Sequence, residues 1–380
     1  MSLSVYYSDK IEDLAADLKE RLLAERCKAD ADPFVFSQVV VPNTNIAKWL
    51  QIRVFADSPE LCMGLNFPFI EDRLFDLLSE SIGDSESLDG SESLEGKKRP
   101  QLLPNHAYAN AIMAILLKDD DENLAPFRRY IAEGDAGPLK IDSRSKARMA
   151  WQLAVKLADL MDKYEVHREE IVKEWLDENH ATTIKDPTEI AEAALARKLF
   201  GEKGVFPPTG DNLSLRQLFK RVCQAEPCAT GCPIYIFGLS TLSSLQVRIL
   251  HWLAKKNDVI VYHNNVCLEY WGDIETDNEL ERKKNSEEKM LQRLRASKDA
   301  DLDVDKIEND LLCKWGVAGR ETLRLLVDLE EANGSSEKPV NFAWNEIDPS
   351  NDAQTVGDSM LKTVQGSIRH RLNEVGRVEK

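Results

Sequence analysis

The sequence predicts a helix-rich α/β protein whose parallel sheet is interrupted by a large helical segment. Strand and helix patterns alternate over residues 1–75, helical patterns dominate from Asn105 to about Val222, and the alternation returns at Ile234. Strands that alternate with helices favour a parallel sheet. We therefore expect the two separated α/β pieces to share one sheet, with the helices between them forming an inserted subdomain.

The first α/β piece begins with a short strand, Leu3 to Tyr7, and continues into a helix. Apolar residues at helical spacing give this helix one buried face: Ile11, Leu14, Ala15, Leu18 and Leu22. The second strand, Val35 to Val41, leads into the stretch VVVPNTNIAKWLQ, where a polar turn precedes an amphipathic helix. We predict Thr44 as the N-cap of that helix, because its side chain can accept a hydrogen bond from a first-turn N–H group.

The turn within VVVPNTNIAKWLQ follows a strand and precedes a helix, as a phosphate loop does, but it lacks phosphate-loop chemistry. Such a loop needs glycines, so that backbone N–H groups can surround the phosphates, and a lysine to meet their charge. Here Pro42 has no N–H group, and Asn43 to Asn45 contain no glycine. The Gly-Lys candidate at Gly90 to Lys98 has a spacer one residue too long and no strand before it. The sequence therefore argues against nucleotide hydrolysis by this chain.

The second α/β piece is a compact β-α-β unit within PIYIFGLSTLSSLQVRILHWLAKKNDVIVYHNN. Its strands are Ile234 to Phe237 and Val259 to Tyr262, and its helix face is Leu245 to Leu253. We predict four regions. They are residues 1–75, the first part of the α/β domain; 76–230, the inserted helical subdomain, in which the acidic, serine-rich segment 79–96 is a flexible loop; 231–335, the second part; and 336–380, a C-terminal segment with no strong core pattern, leading to a further region.

Composition excludes several classes of protein. A formal net charge of -17 argues against a protein that coats nucleic acid through a general basic surface, although a local basic groove is compatible with it. The seven cysteines form no disulfide-like framework, which favours a reducing compartment. Since no apolar run is long enough to cross a bilayer, we predict a cytoplasmic protein with no membrane contact.

Three cysteines within ten residues, Cys223, Cys228 and Cys232, are candidate metal ligands, with Cys267 or His263 as a fourth. Thiolates so placed could hold zinc or an iron-sulfur cluster. The alternative is that they are ordinary small apolar residues, and we favour it because no second close pair completes the pattern. We also assign no catalytic residue, since GLSTLSS is not a G-x-S-x-G elbow.

Aromatic and basic residues could form a track for a single strand of nucleic acid, because bases stack on exposed rings while arginines meet the backbone. Aromatic residues at helical spacing are more often core residues, so this pattern alone is weak. The set is Trp49, Phe67, Phe69, Phe75, Trp151, Tyr164, Tyr270, Trp271 and Trp315, with Arg53, Arg144, Arg148 and Arg168.

Several strings together resemble one family, the RecC or gamma subunit of bacterial exodeoxyribonuclease V, the RecBCD helicase-nuclease. They occur in the family's order up to about Glu330, and the strings YWGDI and WG-x-x-GR are the most specific. The family protein is longer, so the chain resembles its N-terminal portion. The strings are LSVYYSDKIEDLA, VVVPNTNIAKWLQ, NFPF, DLMDKYEVHR, PIYIFGLSTL, EYWGDI and LLCKWGVAGRETLRLLVDLE.

The resemblance implies a superfamily 1 helicase-like fold, with a RecA-type sheet domain and an inserted helical subdomain, that has lost its ATPase motifs. It implies a subunit that is not itself catalytic and needs no cofactor, ATP and Mg²⁺ being used by its partners. Those partners are a RecB-like helicase-nuclease and a RecD-like second helicase. The family subunit holds them, guides the 3′-ended single strand, and takes part in recognising the Chi recombination signal, in repair of double-strand breaks by homologous recombination.

The resemblance also implies DNA- or Chi-contacting positions. In the family pattern Thr44 matches, while Pro42 and Lys48 stand where the best-known member has glutamines. Proline can neither donate to nor accept from a base edge and lysine only donates, so the DNA sequence recognised is open. The remaining candidates are Phe69 and Phe75, which replace a leucine and a tryptophan, and Asp159, Leu160, Asp162 and Arg168, which match the pattern.

Two other hypotheses stay open at this stage. One is an ATP-dependent helicase or nuclease active by itself, which the missing phosphate-loop residues oppose. The other is an interaction-only scaffold without DNA contact, on which Asp159 and Asp162 would be ordinary residues of a solvated helix face.

Overall fold

The structure is a computed structural model, and it describes residues 1–26, 36–62, 64–87, 99–118, 120–133, 143–177, 184–267, 270–274, 309–335, 339–347 and 360–371. The chain divides into two compact units. The sheet unit consists of Met1–Phe69, Thr230–Leu242 and Asn257–Lys380, and the helical unit consists of Ile70–Ala229 and Ser243–Lys256.

The strands, in chain order, are β1 Ser2–Ser8, β2 Ser37–Val40, β3 Leu65–Asn66, β4 Gln101–Leu102, β5 Asn212–Leu213, β6 Ile234–Phe237, β7 Asp258–Asn264 and β8 Asn341–Glu346. Six of them form one sheet in the order β3-β2-β6-β7-β1-β8, in which every neighbouring pair is parallel. The short strands β4 and β5 pair with each other in the helical unit. The prediction of a helix-rich α/β fold with a parallel sheet is confirmed.

The helices are α1 Ile11–Arg26, α2 Thr44–Trp49, α3 Pro59–Cys62, α4 Ile70–Ser87, α5 Asn105–Lys118, α6 Ala125–Glu133, α7 Ser143–His167, α8 Glu169–Leu176, α9 Pro187–Phe200, α10 Leu215–Val222, α11 Ser244–Leu253, α12 Asp310–Trp315, α13 Val317–Gly334 and α14 Met360–Arg369. A π-helix, Leu50–Val54, continues α2, and a 3-10 turn, Glu122–Leu124, precedes α6. None of the helices in the described ranges is long and apolar enough to cross a membrane.

The two α/β pieces of the sequence share one sheet, as predicted. The first strand pairs with β7 along its whole length, from Ser2 opposite Asp258 to Ser8 opposite Asn264, and β2 pairs with β6. Helix α1 packs on this sheet through its buried leucines, and the Tyr262 hydroxyl donates a hydrogen bond to Asp17 at 2.7 Å. The continuous apolar runs of β6 and β7 are those of strands covered on both faces.

Residues 336–380, in which the sequence shows no strong core pattern, contain strand β8. It pairs with β1 from Ser2 opposite Asn341 to Tyr7 opposite Glu346 and forms one edge of the sheet. Asn333 of α13 fixes its start, because its side-chain amide exchanges two 2.8 Å hydrogen bonds with the backbone of Val340. The sequence signal was weak because four of the six residues of this strand are only half-buried.

Two local predictions at helix ends were wrong. The N-cap of α2 is Asn43, not Thr44: the Asn43 side chain accepts from the N–H groups of Asn45 and Ile46 at 3.0 and 3.1 Å, and Thr44 is the first helical residue. Helix α4 extends through Ser87, so residues 79–87 of the predicted flexible loop are helical. The buried Ser81 anchors this part of the helix, since its hydroxyl accepts from the Cys228 N–H at 3.0 Å. Residues 88–96 of the predicted loop lie outside the described residues.

A buried ion pair joins α7 to α10 in the helical unit. The Arg216 guanidinium binds the Glu165 carboxylate through Nε and Nη2, both at 2.7 Å, and both side chains are buried. The Ser214 hydroxyl also donates to Glu165 and forms a capping box with Gln217 at the start of α10. The Glu165 carboxylate therefore accepts hydrogen bonds both from Ser214, the N-cap of α10, and from Arg216 in the first turn of α10.

The two most specific strings, YWGDI and WG-x-x-GR, pack against each other in the sheet unit. The Trp271 indole is buried and donates to Asn265 Oδ1 at 2.7 Å. Its ring lies so close to α13 that a Cβ added at Gly316 would stand 2.5 Å from it, and one at Gly319 would stand 3.1 Å away. The buried Arg320 donates to the Ile274 carbonyl at 2.6 Å. Gly316 and Gly319 of WG-x-x-GR thus leave room for the Trp271 ring, and Arg320 binds the backbone of YWGDI.

Candidate functional site

The carboxyl ends of β2 and β6 lie side by side at a place where the chain reverses its direction across the sheet. From β2 the chain continues to β3 at one edge, whereas from β6 it continues to β7 towards the other edge. In open α/β sheets, ligands bind at the carboxyl ends of strands next to such a topological switch point. The turn of VVVPNTNIAKWLQ lies at this point because it directly follows β2.

Four of the predicted site residues, Pro42, Thr44, Lys48 and Phe69, belong to the sheet unit. The first three are exposed on and after the β2–α2 turn, and Lys48 has no ion-pair partner within the described ranges. The backbone brings Phe69 to the same turn, since the Val41 N–H donates to the Pro68 carbonyl at 3.1 Å. The Phe69 ring is 43% exposed and is therefore available for stacking.

The turn after β6 lies beside the turn after β2, and its residues are not among the predicted contact residues. Gly238 has a φ of 71°, a conformation that glycine adopts without strain. A Cβ on it would lie 3.6 Å from Ile46 and 4.0 Å from Pro42, so the two turns are in contact. The exposed Ser240 and Thr241 follow. We call Pro42, Thr44, Lys48, Phe69 and Gly238–Thr241 the switch-point surface.

This second turn is held by α13 of the same unit. The Thr322 hydroxyl donates to the Ser240 carbonyl and accepts from the Leu242 N–H, both at 3.1 Å. The sequence signal for this turn is the glycine that directly follows the apolar strand in IYIFGLST, a stretch that we tested only as a nucleophile elbow. A positive-φ glycine directly after a buried strand is typical of a turn that brings backbone close to another group.

The helical unit carries the other predicted site residues. Asp159, Leu160 and Asp162 lie in the last turns of α7, and Arg168 stands between α7 and α8. Asp159 is exposed and pairs with Lys163 at 2.7 Å, while Leu160 packs against the core of this unit. The Arg168 side chain is exposed and has no ion-pair partner within the described part of the chain. The implied pairing of Arg168 with either aspartate stays a prediction.

Asp162 lies in unfavourable surroundings for a carboxylate. Burial, followed by the charges of Glu165 and Asp159, raises its pKa above the usual value. The pKa of Glu71 on α4 is raised as well, by burial first and then by the charges of Asp162 and Asp72. Perturbed carboxyl groups are enriched at functional sites, although structural networks produce them too. His167 and Lys163 offset part of this effect on the pKa of Asp162.

The predicted aromatic track separates into buried and exposed residues. Phe75 is 4% exposed and Trp271 2% exposed, so both are core residues. A stacking role for Phe75 would require its side chain to become exposed. In contrast, Trp315 is 83% exposed at the end of α12.

The cysteines at 223–232 are not placed together as a metal centre in the described residues. Cys228 is buried, with its Sγ 3.4 Å from the Leu77 carbonyl, whereas Cys232 is exposed and belongs to the other unit. In the described ranges there is no group of three or more potential ligands with the spacing to hold a metal ion.

Comparisons with known proteins give one consistent result. A family model described as RecC, N-terminal domain, matches residues 3–371. The RecBCD enzyme subunit RecC of Haemophilus influenzae is 25% identical over 413 residues, a match that covers 97% of this chain and 33% of that protein. The RecBCD enzyme subunit RecC of Escherichia coli K12 is 27% identical over 350 residues, covering 87% of this chain and 28% of that protein. The chain thus spans about a third of the length of these curated relatives.

Proposed function

Because the chain belongs to the RecC N-terminal domain family, we propose that it is the N-terminal part of a RecBCD-type exodeoxyribonuclease V subunit. In this proposal it acts in double-strand break repair and homologous recombination in the cytoplasm. It scaffolds a RecB-like helicase-nuclease and a RecD-like helicase, and it contacts the 3′-ended single strand. It performs no catalysis of its own, and ATP and Mg²⁺ are used by the partner subunits.

The family match carries this proposal, and the switch-point surface supports it, because its turn lacks the groups that would bind a nucleoside triphosphate. The turn after β2 has Pro42 where a phosphate loop needs an N–H donor, and Asn43 uses its side chain to cap α2. Phosphates therefore lack the ring of backbone donors that they require. This supports a helicase-like sheet domain with an inserted helical subdomain and without ATPase motifs.

The same surface offers chemistry suited to a strand of DNA. The Thr44 hydroxyl can donate to or accept from a base edge, Lys48 can meet a phosphate, and Phe69 can stack on a base. Exposed Ser240 and Thr241 add hydroxyl groups beside them. Because only one cation lies on this surface, we expect the contact to be weak by itself and to work within a channel completed by other subunits.

We propose that the helical unit contributes a second contact. Arg168 would meet a phosphate, and the carboxylates of Asp159 and Asp162 could accept from an exocyclic amine of a base. Pro42 and Lys48 replace glutamines of the best-known family member, so the regulatory DNA sequence would differ from the best-known Chi, or none would be recognised.

The test is binding of 3′-tailed DNA by the subunit assembled with its two helicase partners. We expect Lys48→Ala and Arg168→Ala each to weaken binding and to reduce the salt dependence of log Kd by about one phosphate contact. Lys203→Ala removes an exposed lysine from the same unit as Arg168 and serves as the control. Unchanged affinity in both variants would favour an interaction-only scaffold. ATP hydrolysis by the purified subunit alone would contradict the non-catalytic assignment.

A further inference from the structure

An open cleft of about 470 Å³ lies in the sheet unit, and none of its lining residues belongs to the switch-point surface. Its walls are two helical ridges. Glu12, Ala16 and Lys19 are spaced four and three residues apart on α1, and Trp49, Arg53 and Val54 come from α2 and the π-helix. A groove between two ridges of this kind is the shape that accepts a third helix.

The apolar part of the cleft is packed against the core of the sheet unit. The Trp49 ring stacks on Phe237, with centroids 6.4 Å apart and planes inclined by 21°, and Phe237 is fully buried in β6. A tryptophan held in this way loses little freedom when a partner covers it, which is the condition for a strong contact.

The π-helix gives this wall its unusual geometry. The Phe55 N–H donates to the Leu50 carbonyl at 2.9 Å, five residues back, so one residue more than in an α-helical turn is accommodated. This segment leaves Arg53 exposed and Ile52 66% exposed. Single π-turns cost stability and occur frequently at functional sites.

The charges around the cleft are mixed rather than basic. Lys19 is paired with Asp57 at 2.5 Å, and this pairing lowers the pKa of Asp57. Within the described ranges Glu12 and Arg53 have no ion-pair or hydrogen-bond partner. The cleft therefore presents one acid and one free guanidinium beside an apolar floor.

We propose that this cleft docks an amphipathic helix of one of the helicase subunits, an inference that rests on the proposed function. The helix would place an apolar side chain over Trp49 and Val54 and a carboxylate against Arg53, where a bidentate pair can form. A basic residue of the same helix would lie near Glu12. Nucleic acid fits the cleft less well, because Asp57 neutralises Lys19 and Glu12 offsets Arg53, which leaves no net positive charge to attract a phosphate backbone.

The experiment measures assembly of the full-length subunit with its two helicase partners, using Arg53→Glu and Trp49→Ala. We expect Arg53→Glu to raise the Kd of assembly at least tenfold, since it places a carboxylate against a carboxylate, and Trp49→Ala to weaken assembly as well. Arg99→Glu is the matched charge reversal at an exposed arginine of the helical unit and should change the Kd less than twofold. Arg53→Lys keeps the charge but not the fork geometry and should show an intermediate effect. The thermal transitions of the Arg53 and Arg99 variants, each measured alone, should match that of wild type. Trp49→Ala removes a ring packed on Phe237 and should lower the transition, so the Arg53 variants decide the test.

Each alternative result overturns the inference in a recognisable way. If the wild-type subunit assembles and Arg53→Glu assembles equally well, the cleft is not the docking site, and the proposed function stands. If Arg53→Glu loses affinity for single-stranded DNA but not for its partners, the cleft is a nucleic-acid site. If Arg99→Glu weakens assembly as much as Arg53→Glu, the effect is general electrostatics. If the wild-type subunit does not assemble, the proposed function itself fails.

Discussion

Replacing Gly316 by alanine would test how the two most specific strings of the sequence hold each other. A Cβ at this position would stand 2.5 Å from the Trp271 ring and 2.5 Å from the Leu312 carbonyl oxygen. Neither neighbour can easily move, because Trp271 is buried and hydrogen-bonded to Asn265, and the carbonyl belongs to the backbone of α12.

The magnitude follows from these contacts. Forcing one methyl group into a packed site costs about 1–3 kcal/mol, and two contacts this short favour the upper half of that range. We expect the free energy of local opening around Trp271 to fall by about 2–3 kcal/mol. Because about 1.4 kcal/mol corresponds to a factor of ten, amide exchange in this region should accelerate roughly 30- to 150-fold.

Hydrogen exchange followed by mass spectrometry can measure this change in the peptides that contain residues 270–274 and α13. Two further glycines of α13 provide a graded comparison. Gly319→Ala brings a Cβ to 3.1 Å from Trp271 and should cost about 1 kcal/mol, whereas Gly334→Ala meets nothing within 4 Å and should be neutral or slightly stabilising. Equal exchange in all three variants, or a larger effect at Gly334 than at Gly316, would refute this account of the packing.

Two more predictions concern the helical unit. Arg216→Met would leave the buried Glu165 carboxylate without its cation, so we expect a loss of about 3–5 kcal/mol in the free energy of unfolding of this unit, measured by urea denaturation; a loss below about 1 kcal/mol would show that the pair is solvated. Asp162→Asn should raise the stability at neutral pH, because a folded-state pKa above the unfolded value makes ionisation unfavourable to the fold. The gain should shrink as the pH falls towards the unfolded pKa of about 3.9. Asp159→Asn relieves part of the repulsion on Asp162 but loses the ion pair with Lys163, so it should give a smaller gain. A lower melting temperature for Asp162→Asn at neutral pH would contradict the assignment.

The sequence was most informative where periodicity and burial agree. The apolar runs of β6 and β7 predicted their strands to within two residues at each end, and the alternation of elements predicted one shared parallel sheet. The resemblance to the family indicated the turn after β2 as a candidate DNA-contacting segment. These features are local or depend on composition, so that one sequence is sufficient to find them.

The features that were missed depend on distant partners. Strand β8 mixes polar and apolar residues, its four central residues are half-buried, and its pairing with β1 at the edge of the sheet identifies it as a strand. Trp271 and Trp315 both belong to family strings, yet Trp271 is buried and Trp315 is exposed. The burial of Trp271 depends on Gly316 and Gly319, which lie in a different string. The π-helix after α2 was also not predicted, because the apolar residues of this segment fit an ordinary α-helical spacing.

The sheet also sets the order in which the protein can fold during its synthesis. Strand β1 is made first, but both of its neighbours come much later, since Ser2 pairs with Asp258 on one side and with Asn341 on the other. At about 5–20 residues per second, the ribosome needs on the order of 10–50 seconds to reach β7 and more to reach β8. For that time the hydrogen-bonding groups of β1 lack both of their native partner strands. We therefore expect the nascent chain to depend on chaperones until the residues of β7 and β8 have left the ribosome.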